Sequence, residues 1–421
     1  MPVLVVDNGA YEIKAGYATE DPELHVVSNS IARSADRRTY IGNQVRTCKD
    51  YHGLVYRRPH EKGQLVSWEC QKAIWDHIFF GKDTTLDRPN GTGIVDPSDT
   101  SLILTEMPYS LPALSSHMDQ IVFEEYGFDS YYRCTAGSLV PWNDINSELF
   151  GDETTRKKPV AECAMVVDCG FSATHVMPVL LGEVYFPAVK RITPGGKMLT
   201  NYLKETVSFR HYNMMEDTYL MNLIKEATCF VSPNFSDDLE LCHKNKKSYM
   251  ARYLLPDFKT TRTGYLLSPD DPKLAQKEDS QILTLTNERF TVPELLFNPS
   301  DVGLDQAGIP ETVMRSINSM PADVRSMLLA NVVLVGGSAK LPGFRERLTK
   351  DLRTWAPADS YLRVAVPENP DSYAWKGGCA LGCQTEMLQR AHVTKQDYME
   401  YGVNRCLSSF GIKVQETLEK D

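Results

Sequence analysis

Met165-Val166-Val167-Asp168-Cys169-Gly170, followed by Phe171-Ser172-Ala173-Thr174-His175, is the stretch on which the reading of this chain turns. Three apolar residues run into Asp-x-Gly, then a small polar cluster, then renewed apolar residues. That pattern is a buried strand, a tight turn and a second strand. A glycine lets such a turn pass close to a ligand, and exposed backbone N–H groups hold an anion such as phosphate. An Asp at the end of a strand holds hydrated Mg²⁺ through water, because that ion keeps most of its shell. A lone Asp-x-Gly is more often a plain turn.

The chain repeats the pattern. Val5-Val6-Asp7-Asn8-Gly9 opens it with an apolar pair and Asp-x-Gly, and Lys14 follows five residues after Gly9. A third apolar run, Val333-Leu334-Val335, ends in Gly336-Gly337-Ser338 ahead of a helix. Two Asp-Gly hairpins and a Gly-Gly turn make a clamp, each half offering a phosphate-binding turn to a Mg²⁺-nucleotide in the cleft between them.

At 421 residues the chain is long enough for two core-bearing domains. A net charge of −10 argues against a nucleic-acid-binding field over the whole surface. The first residues lack the basic and long apolar regions of a signal peptide, and no apolar run reaches membrane-span length, so no membrane association is expected. Ten cysteines lie singly, without a pair of ligand pairs at zinc spacing, and are expected to be reduced thiols.

Between the clamp elements, Ser67 is expected to cap a helix running through Phe79, Leu102–Glu106 to be a buried strand, and Ser115–Tyr126 a helix. Pro194-Gly195-Gly196-Lys197 is a tight turn before a helix, and Leu223–Thr228 lies on another. Residues 232–281 are the least regular part, with aromatic islands that need cover. The Lys244–Lys247 run is read as a solvated loop. Gly377-Gly378 is expected to interrupt the last helix pair, and Gln415–Asp421 to fray.

The chain resembles actin over nearly its whole length, and more narrowly the actin-related proteins. Asn287-Glu288-Arg289-Phe290 with Pro293-Glu294 and Leu296-Phe297, Ala307-Gly308-Ile309, Pro342-Gly343, Trp375-Lys376-Gly377-Gly378 and Val393–Tyr398 carry the resemblance. It implies the α/β actin-like fold shared with chaperone ATPases and sugar kinases, two duplicated domains around a nucleotide cleft. An outer domain would span 1–158, with 372–421 returning to it and a reduced lobe at 30–65. An inner domain would span 159–371, in which 195–300 carries the insertion 232–281. By resemblance Asp7, Asn8, Gly9 and Lys14 fall on the first phosphate loop and Asp168, Gly170 and His175 on the second. Gly196, Lys225 and Glu226 fall near ribose and base, and Gly336 and Gly337 beneath the adenosine. The implied cofactor is ATP with Mg²⁺, held through water by Asp7 and Asp168.

Departures from actin set the functional expectation. A serine and a glycine of the first loop are Ala10 and Tyr11, and an acidic residue and a glycine of the second are Phe171 and Ser172. The water-positioning glutamine falls on Ala136 or, with a one-residue shift, on Thr135, and a basic residue beside the adenine on Asp371. Phosphoryl transfer to water depends on positioning and electrostatics, so a pseudo-ATPase is expected, with no catalytic residue. Ile31–Gly42 is shorter than actin's filament-docking loop, which argues against a homopolymer. Leu255-Pro256-Asp257-Phe258 and Arg262–Tyr265 resemble the sixth nuclear class of actin-related proteins. That class implies a scaffold subunit of a Swr-type chromatin remodeller that exchanges a variant histone, located in nucleus and cytoplasm. Its partners would be the motor ATPase and a small zinc-finger subunit, with nucleosome contact open. Tyr253, Leu255, Phe258 and Tyr265 are the expected partner-docking residues. The competing functions are an active phosphotransferase of the superfamily and a cytoskeletal actin-related protein.

Overall fold

A computed structural model describes residues 1–48, 51, 53–81, 86, 94–150, 162–257, 261–268 and 281–411. Phe258 and the tail from Gln415 lie outside the described residues. Two mixed sheets dominate. In the first, the strand Val3–Asn8 pairs antiparallel with Glu12–Tyr17 and parallel with Ser101–Glu106, with Leu4 opposite Tyr17 and Leu102. The sheet extends through Ser130–Thr135 to the late strand Val393–Thr394 on one edge and to His25–Ser28 on the other. In the second, Cys163–Cys169 pairs antiparallel with Thr174–Leu180 and parallel with Val332–Val335. Each Asp-Gly hairpin thus has the same surroundings: an antiparallel partner on one side and a parallel crossover strand on the other. Asp7 and Asp168 sit near the carboxyl ends of their strands, where ligand crevices of such sheets open.

The faces of the sheets explain the helices. Cys70, Ile74, Trp75, Ile78 and Phe79 recur at helical spacing on Trp68–Phe80 and are buried with Leu4, Val6 and Leu104 in the core of the first sheet. Ser67 precedes that helix but does not cap it; its hydroxyl instead accepts from the Arg57 guanidinium at 3.3 Å. Pro112 starts the next helix three residues before the expected Ser115, because proline's fixed φ suits a first turn. Gly377 and Gly378 do not interrupt a helix; they lie inside Tyr373–Gly382. A Cβ on Gly377 would stand 1.9 Å from the Leu139 carbonyl oxygen, and one on Gly378 2.7 Å from Val5 Cγ1. The glycines let this helix lie against the first strand, where Trp375 donates from its indole to the Val5 carbonyl at 3.2 Å.

Residues 232–281 are more regular than their composition suggests. Phe235–Lys244 and Lys246–Tyr249 are helical, placing the exposed lysine run on helix ends rather than in a loop. Ala251–Leu254 forms the centre of a small sheet with Tyr265–Leu266 and Ile282–Leu285. Tyr253 and Leu255 are 4% and 7% exposed and belong to the core of the second sheet, so neither is an open docking anchor. Their aromatic and branched side chains pack inward against the domain's own helices. Tyr265 is 37% exposed. The Asn287–Phe290 motif serves this packing: Arg289 donates to the Thr228 carbonyl at 2.8 Å and to the Tyr249 carbonyl at 2.6 Å.

The lobe between the first sheet and its long helix is small. Ile31–Arg33 and Thr39–Ile41 form a hairpin closed by the short turn Ser34–Arg38, and Val55–Arg57 is its third strand. The described helices include none long and apolar enough to cross a membrane. All ten cysteines are free thiols.

Candidate nucleotide-binding site

The two hairpins and the Gly-Gly turn converge on one cleft of about 610 Å³, within the range of small-molecule sites. Asp7, Gly9, Lys14, Asp168, Gly170, Gly196, Lys225, Glu226, Gly336 and Gly337 all line it. The Asp7 carboxylate accepts from the Thr105 hydroxyl at 2.7 Å and lies 4.0 Å from Lys14 Nζ. Burial raises the Asp168 carboxyl to about 6, and the negative charge of Asp7 adds to the rise. A buried carboxyl raised by its carboxylate neighbour, with Lys14 the nearby cation, makes a pair of acidic groups that suits a divalent cation.

Asn8 lines the same cleft, but its side chain belongs to the interior. Its Nδ2 donates to Gln71 at 3.4 Å and its Oδ1 accepts from the Trp75 indole at 3.4 Å. These bonds tie the first turn to the helix Trp68–Phe80.

Gly336 has φ +92°, and a Cβ there would stand 2.7 Å from Asp168 Oδ1 and 2.6 Å from the Cys169 carbonyl oxygen. Only glycine lets the third strand's turn cross so close beneath the second hairpin. Gly337 has open space where its Cβ would be. Gly196 begins the helix Gly196–Arg210 and donates its N–H to the Gly170 carbonyl at 3.0 Å, joining the second hairpin to a helix N-terminus.

Lys225 is buried and occupied: its ammonium donates to Asn222 Oδ1 at 2.9 Å, Thr200 Oγ1 at 3.0 Å and the Gly196 carbonyl at 3.3 Å. Burial pushes it below the ordinary lysine range. Glu226 accepts from Asn222 Nδ2 at 2.8 Å. Asp371 accepts from Lys340 at 2.6 Å on the cleft rim. His175 stands opposite Asp168 in the hairpin; burial pushes it down to about 4, and its Nε2 meets no hydrogen-bonding group among the described residues.

The departures from actin come together. The Tyr11 and Phe171 rings lie with centroids 4.9 Å apart, one from each hairpin. Arg58 sits over both, 4.7 Å from the Tyr11 ring and 5.0 Å from Phe171. Its guanidinium also donates to the Tyr11 carbonyl at 3.0 Å and the Asn29 carbonyl at 3.2 Å. Tyr11 Oη accepts from Asn222 Nδ2 at 2.9 Å. Sequence reasoning singled out Tyr11 and Phe171 but missed Arg58 and Asn222. The Arg57-Arg58-Pro59-His60 run carries no periodicity or motif that would have marked Arg58.

The cleft, its duplicated hairpins and the surrounding two-sheet topology define an actin-type fold. The family model for actin matches residues 1–410, and the chain belongs to the actin family. It is 44% identical over 418 residues to the Actin-like protein ARP6 of Yarrowia lipolytica, covering 99% of each chain. It is 40% identical over 446 residues to the Actin-like protein arp6 of Emericella nidulans, covering 94% of this chain and 92% of that one. With the Actin-related protein 6 of Drosophila melanogaster it shares 39% identity over 404 residues, 95% of this chain and 97% of that one. It is an actin-related protein, and in its family this cleft is a nucleotide site.

Proposed function

We propose that this chain is a non-hydrolysing actin-related scaffold subunit of a nuclear chromatin-remodelling assembly of the Swr type. In that assembly a variant histone is exchanged into nucleosomes, which supports transcription regulation. The direct partners in this reading are the motor ATPase and a small zinc-finger subunit, with the protein in nucleus and cytoplasm. A nucleotide with its Mg²⁺ would be held here by Asp7 and Asp168, which would take the metal, and by Gly9, Gly170, Gly196, Gly336 and Gly337, which line the same cleft. The metal would neutralise phosphate charge; the chain's own residues supply only the cradle.

The observation that carries the non-hydrolysing half is the Tyr11–Phe171 contact. Hydrolysis needs polar groups that orient a water in line with the terminal phosphate. Here the two phosphate turns meet through aromatic rings, and Ala10 and Ala136 add methyl groups to the same wall. Burial and the neighbouring Arg191 cation hold His175 neutral, and its Nε2 meets no hydrogen-bonding group among the described residues. The scaffold half rests on end-to-end similarity to proteins named ARP6.

Homopolymer formation is disfavoured by the Ser34–Arg38 turn, which closes the small-lobe hairpin within five residues and leaves no long loop there. Tagging the chain in its native cell and quantifying what co-purifies tests the scaffold reading. The motor ATPase and zinc-finger subunit at constant stoichiometry are expected; their absence contradicts it. Salt-induced filaments of the purified chain in electron micrographs would overturn the non-polymerising part.

A further inference from the structure

We propose that Tyr11, Arg58, Phe171 and Asn222 form a clasp that takes the place of a terminal phosphate. It ties the two lobes shut with no nucleotide and restricts the ligand to a nucleoside carrying at most two phosphates. This goes beyond the scaffold reading and stands whether or not the chain joins that assembly.

The first ground is spatial. A phosphate held between two hairpin turns needs both backbones to approach it, which is why such turns favour glycine and small residues. Here the residues beyond the two turns carry rings in contact at 4.9 Å, with no gap for another group between them. Arg58 covers that pair, and its own donation to the Tyr11 and Asn29 carbonyls fixes it there.

The second ground is hydrogen-bond bookkeeping. A site waiting for a polyanion keeps its donors unpaired or wet, whereas buried polar groups with a structural role are paired within the protein. Both N–H groups of the Asn222 amide are used, one on Tyr11 and one on Glu226, and its oxygen accepts from Lys225 and Thr200. Lys225 has three acceptors of its own. Asn222, Lys225 and Arg58 are therefore satisfied by protein, while Lys14 Nζ stands 4.0 Å from the Asp7 carboxylate. The carboxylates Asp7 and Asp168 line the same cleft, and Gly337 has open space where its Cβ would be.

The third ground is a separate tie at the rim. Tyr51 of the small lobe stacks on Tyr219 of the helix Thr218–Thr228 at 5.0 Å, and Tyr56 lies 6.3 Å from the same ring. Tyr219 packs against the small lobe's own apolar cluster. Tyr219 and Asn222 sit three positions apart on one helix, so rim tie and clasp share a single rigid element.

The test uses the full chain, stripped of nucleotide with EDTA and apyrase. Hydrogen–deuterium exchange is followed alone, with Mg-ADP and with Mg-ATP, and binding of each nucleotide is measured by titration. The clasp predicts that exchange in peptides covering 8–17, 168–180 and 218–228 stays within about twofold across the three states. It also predicts that Mg-ATP binds at least about tenfold more weakly than Mg-ADP, or that neither binds. A double variant, Tyr11→Gly with Phe171→Gly, should exchange about tenfold faster in these peptides without nucleotide and be protected again by Mg-ATP. Wild-type protection that collapses on stripping and returns with Mg-ATP overturns the proposal. So does wild-type affinity for Mg-ATP equal to or above that for Mg-ADP, the outcome expected if Arg58 instead grips a terminal phosphate. These wild-type comparisons decide the matter even where the double variant fails to fold.

Discussion

The phenol oxygen of Tyr11, in the first hairpin, accepts a 2.9 Å hydrogen bond from the side-chain amide of Asn222, 211 positions along the chain. The bond joins the two halves of the molecule across their cleft. Burial holds the Tyr11 phenol well above the usual tyrosine range, so it is neutral at physiological pH. Tyr11→Phe keeps the ring against Phe171 and removes only this bond, leaving one Asn222 N–H without its partner. A loss of about 1 kcal/mol in unfolding free energy is expected, the usual net worth of such a bond. Urea titration checks it. No change would mean that the bond does not persist in solution.

Tyr253→Ala tests the reassignment of the insertion. Its ring is buried in the core, and its hydroxyl donates to the Thr263 carbonyl at 3.0 Å. Truncation should cost about 3–5 kcal/mol, as for other large buried aromatics. Leu241→Ala, on the half-exposed face of the neighbouring helix, should change stability by no more than about 0.5 kcal/mol. Deleting 236–278 removes Tyr253, Leu254, Leu255 and Leu267 from the interior together, and the product should not fold. A stable deletion variant would restore the segment to the role of a separable docking arm.

Both hairpins were legible in the sequence because an apolar run ending in Asp-x-Gly reports strand and turn at once. The third glycine turn was legible for the same reason, and the structure shows why Gly336 must be glycine. Tyr253 and Leu255 were misread because composition says that a side chain needs cover, not which surface covers it. Ser67 was misread as a cap because Arg57 competes for its hydroxyl, a contact that only the folded hairpin creates. The clasp was half legible. Tyr11 and Phe171 stood out as bulky residues in phosphate turns, but Arg58 and Asn222 reach them from distant segments and leave no local pattern.

Gly377→Ala should be severely destabilising, by at least about 3 kcal/mol, because its Cβ would overlap the Leu139 carbonyl. The helix Tyr373–Gly382 has its own indole bond to Val5 and cannot move away without breaking it. Thermal unfolding measures this directly. A near-wild-type midpoint would show that the helix stands further from Leu139 than described.

His60 makes stability pH-dependent. Burial pushes its imidazole down to about 4, and the neighbouring Arg58 cation acts in the same direction. Its Nδ1 faces the Asn29 amide at 3.4 Å, a partner suited to the neutral ring. A histidine whose folded value lies below the unfolded value of about 6.5 contributes stability that is present above 6.5. That stability is lost as pH falls toward 4, because the unfolded chain takes up its proton first. The slope is on the order of 1.4 kcal/mol per pH unit in that window. His60→Gln should show a shallower acid decline than wild type, with a remainder from His175, which burial also pushes down to about 4. Equal slopes for the two proteins would contradict this.

The most direct test of the proposal that this cleft does not hydrolyse ATP is phosphate release from Mg-ATP by the purified chain, run beside actin under identical conditions. With Tyr11 and Phe171 in contact and Ala136 in the wall, release no faster than the protein-free background is expected. Turnover at or above that of actin would contradict it.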